Sequence, residues 1–312
     1  YTHCIRFNGR GNAGHTIYHE GKKYVTHLIP SGVFHGVRSI VGPGCVAKTS
    51  KFLEEIKYLE DGLGRRVNVG IAKNVHLVTD AHVMEDGGDT TIGTTKTGNG
   101  PAYSSKYSRK GIRAENDNIL KPFLMDMYEE FYDHEDKSCP PTVCLLAEGA
   151  QSFNLDIDWG DYPYVTSSHC GIGGVFNKGF YYCPIRNVYG VVKAYDTYVG
   201  AKSFQPAGEI FNRIQEAGQE FGATTGRRRQ VNWINWNLVE RGVHMNNVTT
   251  LIVNKADVLD QVGAWGILHN GQSIQFKNKA EYKHWLEKHS LILDINLVFS
   301  EGADDMTFVK HL

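Results

Sequence analysis

The sequence predicts an α/β fold, and three observations carry that expectation. Short apolar runs of strand length alternate along the chain with stretches whose apolar residues recur at helical spacing. Hydrophobic residues make up 41% of the 312 positions and charged residues 21%, enough apolar material for a sizeable core. Neither an internal repeat nor a low-complexity linker interrupts the pattern, so a single large domain with subdomain lobes is expected over residues 1–312.

Taken in order, strands are expected at His3 to Phe7, Val67 to Ile71, Val75 to Thr79, Thr142 to Glu148, Val188 to Tyr195, Thr249 to Asn254 and Leu291 to Phe299. Helices are expected over Lys51 to Leu59 behind Ser50 as a cap, and over Asn118 to Tyr132, where Leu120, Leu124, Met127 and Phe131 share a face. Three more follow at Gly208 to Ala217, Ile234 to Asn246 and Ala280 to His289. Glu85 to Tyr107 and Gln151 to Asn177 read as long functional loops, rich in Gly and hydroxyl residues.

Bulk properties narrow the function. A net charge of −1 removes any whole-protein electrostatic case for nucleic acid or membrane partners, and no run approaches the apolar length of a membrane span. The six cysteines (Cys4, Cys45, Cys139, Cys144, Cys170, Cys183) form no CxxC pair and read as reduced thiols of a cytoplasmic protein. His169 beside Cys170 has no second half at ligand spacing. The chain begins at Tyr1 and enters a strand pattern almost at once, which suggests a segment upstream.

Several short stretches carry chemistry. In TTLIVNKAD a strand ends in Asn254-Lys255-Ala256-Asp257; one carboxylate can accept both adjacent donors of a guanine edge, and the alternative is a polar strand end. In EFGATTGRRR, Thr224, Thr225 and Gly226 precede Arg227, Arg228 and Arg229, the equipment of an anion clamp or of a solvated basic face. EGAQ sits at a strand end, where Gln151 offers a donor and an acceptor to a lactam edge or is a solvated turn residue. Thr166, Ser167 and Ser168 in YPYVTSSH read as phosphate contacts or a helix cap, and Thr94 and Thr95 in IGTTKTGNGPAY, followed by Arg109 and Arg113, have the composition of a phosphate cradle. GNAGHT combines backbone donors with His15, a residue able to stabilise charge or move a proton, or a structural turn histidine.

In this order, GNAGHT, HLIPSG, IGTTKTGNGPAY, EGAQ with DIDWGDYPYVTSS, KAYDTYVG, GATTGRRR and NKAD resemble the motif series of adenylosuccinate synthetases from the start of the chain to its end, most like a compact archaeal or viral form. The resemblance implies a P-loop-NTPase-like, mostly parallel central sheet flanked by helices, with long active-site loops. It implies a carbon–nitrogen ligase of purine biosynthesis: GTP phosphorylates the 6-oxygen of IMP, and the amine of L-aspartate displaces phosphate to give adenylosuccinate, with Mg2+ as cofactor. His15 and Gln151 would be catalytic, His15 as the acid that stabilises the transferring phosphoryl group and leaving GDP. Asn12, Ala13, Gly14, His15, Thr95, Arg109, Gln151, Thr166 and Arg227 would hold IMP, with Gly14 also a magnesium ligand through its carbonyl. Ala223, Thr224, Thr225, Gly226, Arg227, Arg228 and Arg229 would take aspartate. Arg229, Lys255, Ala256, Asp257, Ser300, Glu301 and Gly302 would take GTP. Arg109 would reach the IMP phosphate of a second subunit, which makes a homodimer part of the site.

The departures from that pattern matter too. A glycine-rich GDEGKGK segment, whose aspartate is the family's general base, is absent; the chain is expected to lack the family's first strand and P-loop and not to turn over alone. Lys96-Thr97, Tyr198 and Ser152 stand where Gly-Arg, Arg and Gly are common. Two alternatives follow: a phage-type variant that joins aspartate to dGMP, and a nucleotide-binding pseudoenzyme without a P-loop.

Overall fold

Cys4, Ile5 and Arg6 are all buried, which makes strand β1 (His3–Arg6) an inner strand rather than an edge. It belongs to a parallel sheet with β2 (Arg38–Val41), β3 (Val69–Ala72), β4 (Leu124–Met125) and β5 (Leu145–Glu148), in the order β5-β1-β2-β3-β4. From β1 the chain steps outward through β2, β3 and β4, then crosses back to lay β5 on the far side of β1. That reversal creates a topological switch point between β1 and β5, and open α/β sheets bind ligands outside the carboxyl ends of strands at such points. The computed structural model describes residues 1–11, 13–88, 93–132, 143–177, 184–222, 226–302 and 305–309. Two compact units emerge, Tyr1–Tyr182 and Cys183–Leu312.

In the first unit, helix α1 (Thr49–Leu63) buries Phe52, Ile56 and Leu59, one stripe at i, i+4 and i+7, in a core with Tyr24, Leu28, Val41, Val69 and Ile71. The same helix buries Glu55, whose carboxylate accepts the backbone N–H groups of His27, Leu28 and Ile29 at 2.8, 3.1 and 3.1 Å. α1 starts after Lys48, so Ser50 lies within its first turn and does not cap it.

Two expectations fail in this unit for identifiable reasons. Asn118 to Tyr132 is not one helix: Asn118–Phe123 is a 3-10 turn, Leu124–Met125 is β4, and Met127–Phe131 is a short helix. Pro122 lacks the N–H a continuous helix needs, and Asp117 and Asp126 each cap their own turn, accepting from Ile119 N at 2.9 Å and Tyr128 N at 2.8 Å. The loop expected over Glu85 to Tyr107 is shorter than that: residues 85–88 belong to α2 (Asp80–Gly88) and Asn99–Tyr107 form α3, with 93–98 non-helical and 89–92 outside the described residues. Gly98 makes their junction possible: its φ is +78°, and a Cβ there would stand 2.7 Å from the backbone N of Val83. Of Val75 to Thr79, His76–Leu77 pairs as strand.

The second unit holds two four-stranded sheets. β6 (Tyr189–Lys193), β9 (Thr250–Asn254) and β12 (Asn296–Gly302) run parallel, with β13 (Asp305–Val309) antiparallel on β12. The other sheet orders β7 (Tyr195–Tyr198), β8 (Gln230–Asn235), β10 (Trp265–His269) and β11 (Gln272–Phe276). Trp233, Trp236, Tyr195, Tyr282, Leu286 and Phe299 fill its core. Helices α4 (Glu209–Ala217), α5 (Trp236–Asn246), α6 (Ala256–Val262) and α7 (Lys279–Ile292) accompany the sheets. Ile234 belongs to β8, because Asn235 ends the strand and caps α5, accepting Leu238 N at 3.4 Å. Leu291 lies in the last turn of α7 and the following strand begins at Asn296. Among the described residues no helix is long and apolar enough to cross a membrane.

Gly98→Ala is expected to lower unfolding stability by about 2 kcal/mol, from left-handed strain and the clash with Val83. Urea denaturation checks this, and an unchanged midpoint counts against it.

Candidate active site

Arg6 and Glu148 are register partners at the carboxyl ends of β1 and β5. The Arg6 side chain is wholly buried, with Nη2 2.5 Å from Glu148 Oε1. Its Nη1 donates to the Gly149 carbonyl at 3.3 Å and lies 2.9 Å from His15 Nε2. His15 opens the hairpin His15–His19/Lys22–Thr26 and sets its Nδ1 3.4 Å from the same Glu148 oxygen. Ser31 donates its N–H and its hydroxyl to Glu148 Oε2 at 2.8 and 2.6 Å. Burial pushes the Glu148 pKa up, but the His15 hydrogen bond, the Arg6 charge and the Ser31 donors outweigh it and bring it down to about 2.

The EGAQ turn is held from β1. Asn8 grips Ala150 from both sides, its Nδ2 donating to Ala150 O at 2.9 Å and its Oδ1 accepting Ala150 N at 2.8 Å. Gln151 follows in left-handed backbone, φ +65°, and its Oε1 is shielded from solvent with no partner among the described residues. Thr166, 3% exposed, likewise has an Oγ1 without a partner among the described residues. Ser152 accepts Asn154 N at 3.2 Å and caps the next turn. Ala13 and Gly14 lie half-buried just before His15, and Ala13 N donates to Arg10 O at 3.3 Å. Thr95 shares a 2.9 Å hydrogen bond with Thr97. Arg109 is exposed in the turn after α3 at φ +65°, with no carboxylate within 4.0 Å among the described residues. Asn12 lies outside the described residues.

Asp156, Asp158 and His169 bring three ligand atoms within 4.8 Å of one another. This group does not suit magnesium. Asp156 already accepts the N–H groups of Asp158, Trp159, Cys170 and Gly171, and the third donor is a nitrogen where Mg2+ takes oxygens.

The second unit gathers its predicted residues at an equivalent edge. Lys193 and Asn254 are register partners at the carboxyl ends of β6 and β9, and buried Ser300 lies on adjoining β12. Lys255 turns at φ +63° and donates to Gly218 O at 3.1 Å; Ala256 is buried, and Asp257 lies in the first turn of α6. Asn254 Oδ1 is buried without a partner among the described residues. Glu220, 2% exposed, accepts from Lys193 at 2.9 Å, Tyr195 at 2.6 Å and Arg229 at 2.9 Å. Burial favours its neutral form, but Lys193, Tyr195 and Arg229 outweigh that and hold its pKa below the usual value. Burial pulls Lys193 below the ordinary lysine range despite Glu220, helped by Arg229 and Lys255. The base of the arginine loop is closed by Arg229 N to Glu220 O at 2.9 Å and Gly222 N to Arg227 O at 2.8 Å, with Phe221 bridging Arg228. Gly226 has φ +63°; Ala223, Thr224 and Thr225 lie outside the described residues, and Glu301 and Gly302 are described as backbone of β12.

Sequence reasoning overlooked Arg6, Asn8, Glu148, Lys193 and Glu220. The available signal was a charge inside an otherwise apolar strand, as Arg6 is in HCIRF and Lys193 in VVKAY.

Polar and charged groups gathered at the carboxyl ends of parallel strands in both units mark an α/β protein with the setting such sheets use for ligands. Comparison with known proteins narrows the class. The adenylosuccinate synthetase family model matches residues 1–139 and 115–270. The adenylosuccinate synthetase of Yarrowia lipolytica is 36% identical over 87% of this chain and 77% of its own length. That of Trichoplax adhaerens is 34% identical over 94% and 77%. Among solved structures, the fully ligated adenylosuccinate synthetase of Plasmodium falciparum superposes with a TM-score of 0.79 at 25% identity, covering 99% of this chain and 93% of that one. The cyanophage S-2L succinoaminodeoxyadenylate synthetase bound to dGMP and dATP shares the fold, with a TM-score of 0.75 at 20% identity over 99% and 87%. The chain therefore belongs to the adenylosuccinate synthetase family, a family of ligases.

The depressed Glu148 pKa sets a pH dependence. Its contribution is fully present above the unfolded carboxylate value and is lost as pH falls from about 4.5 towards about 2, to the extent of about 3 kcal/mol. Denaturation curves across that window should show the loss in the wild type and a flatter profile in Glu148→Gln. Glu220→Gln, which leaves Lys193 buried without its counter-ion, should cost about 3 kcal/mol. A denaturation midpoint equal to wild type counts against that role.

Proposed function

We propose that this protein ligates L-aspartate to IMP at the expense of GTP, passing through 6-phosphoryl-IMP. A lactam oxygen is a poor leaving group until phosphorylated, and the charge that develops during transfer must be met by fixed donors. The observation that carries the reading is the placement of His15 at the switch point, held between Arg6 and Glu148 before any ligand arrives. Glu148 Oε1, 3.4 Å from His15 Nδ1, orients the imidazole for its proposed work as acid on the transferring phosphoryl group.

Gln151 supports IMP as acceptor: its shielded, unpartnered Oε1 suits the N1–H of a 6-oxopurine. Thr166 and Thr95, with Asn12, Ala13, Gly14 and Arg227, complete the proposed IMP contacts. Residues 223–229 are the proposed aspartate loop, which the Glu220–Arg229 pair anchors at its base. Arg229, Lys255, Ala256, Asp257 and Ser300 to Gly302 are the proposed GTP contacts, Asp257 offering its carboxylate to the guanine edge. Gly14 suits magnesium through a carbonyl oxygen, the hard donor Mg2+ prefers beside substrate phosphates; when bound, the ion neutralises phosphoryl oxygens. Exposed Arg109, free of any carboxylate among the described residues, supports a homodimer in which it reaches the partner's IMP. The reading carries with it a cytoplasmic setting, the host's if the source is viral.

The full-length protein is expected to form adenylosuccinate from IMP, aspartate and GTP. His15→Ala should lower kcat about 100- to 10,000-fold with an unchanged circular dichroism spectrum. Product from dGMP but not IMP would move the assignment to the phage-type reaction, and no product from either would remove the ligase reading.

A further inference from the structure

Arg10 stands just beyond Asn8, in the short strand Gly9–Arg10 that pairs with Cys45–Val46. It contrasts with Arg6, whose charge is met at 2.5 Å by Glu148. Arg10 is half-buried, its Nε is shielded from solvent without a hydrogen-bond partner, and among the described residues no carboxylate lies within 4.0 Å of it. Burial pulls its pKa below the ordinary arginine value, while Tyr103, Cys170 and Asp86 act against that. None of the three is a counter-ion in contact. Tyr103 is occupied as a hydroxyl donor to Gly44 O at 2.8 Å, burial pushes the Cys170 thiol up to about 12, and Asp86 accepts Gly98 N at 2.8 Å.

A half-buried guanidinium without a close counter-ion is costly, and its planar fork of donors matches an oxyanion. The surroundings point the same way. Gly9 packs so closely on Ala150 that a Cβ there would meet it at 2.8 Å, which sets the backbone just before Arg10 against the residue that precedes Gln151. Cys170, which feels the Arg10 charge, is tied by its N–H to Asp156; the neighbouring Leu155 accepts the N–H of Thr166, whose own buried hydroxyl has no partner. We infer that Arg10 is a further ligand of this crevice and binds the phosphate monoester of the purine nucleotide. The inference rests on the nucleotide reading above and adds a cation outside the contacts that the family resemblance implies.

Titration calorimetry of the full-length wild type, Arg10→Met and Arg10→Lys with IMP and with inosine tests it. Arg10→Met is expected to bind IMP about 10- to 100-fold more weakly with inosine affinity unchanged, and Arg10→Lys to fall between. Ligand-free Arg10→Met should melt no lower than wild type, because the substitution removes a cation that lacks a counter-ion; a purely structural arginine would lower the melting temperature. Equal IMP affinity in wild type and Arg10→Met overturns the Arg10 assignment alone. If Arg10→Met does not fold, Arg10→Lys decides: a preference for IMP over inosine equal to wild type is the overturning result. A folded wild type that binds neither IMP nor inosine overturns the nucleotide reading, and the assignment with it.

Discussion

Arg6 carries a positive charge with no surface exposed to water, and the first unit is arranged around that constraint. A buried guanidinium needs a carboxylate at contact distance, so β5 must present Glu148 in register with it. Glu148 in turn has lone pairs beyond those Arg6 uses, and Ser31 and His15 take them. The candidate acid is thus the outer member of a chain of pairings that begins in the core. Its orientation derives from sheet register rather than from the loop that carries it.

Glu220 solves a related problem in the second unit. One nearly buried carboxylate meets Lys193, Tyr195 and Arg229, and through Arg229 it fixes the base of a loop rich in cations. In both units the charged groups are positioned before a ligand is present, which spares the cost of reorganising them when charge develops. The fold supplies the same setting twice, the carboxyl ends of parallel strands.

Alternation of strand and helix patterns was legible from the sequence, as were motifs that end strands, because both depend on local spacing. His15, Gln151, Thr166 and Arg229 could be singled out by residue type within a short window. Glu148 and Glu220 could not, although they stand inside EGAQ and beside GATTGRRR, because their roles depend on what the fold sets opposite them. Asn8 is a polar residue of no special pattern until Ala150 is found in its grip. Local cues also misled. The helical spacing of Leu120, Leu124, Met127 and Phe131 is real, yet Pro122 and two capping aspartates divide it, and Gly98, read as part of a loop, packs its backbone against Val83 where α3 begins.

The grip of Asn8 on Ala150 spans 142 residues of sequence, as does the neighbouring strand pairing. Long closures of this kind are entropically late events, since the ends must meet before any of the contacts repay the search. During synthesis the buried arginine of β1 has no counter-ion until β5 has been made. The first sheet therefore matures only after that later strand has followed, and until then its central charge holds it short of the native state.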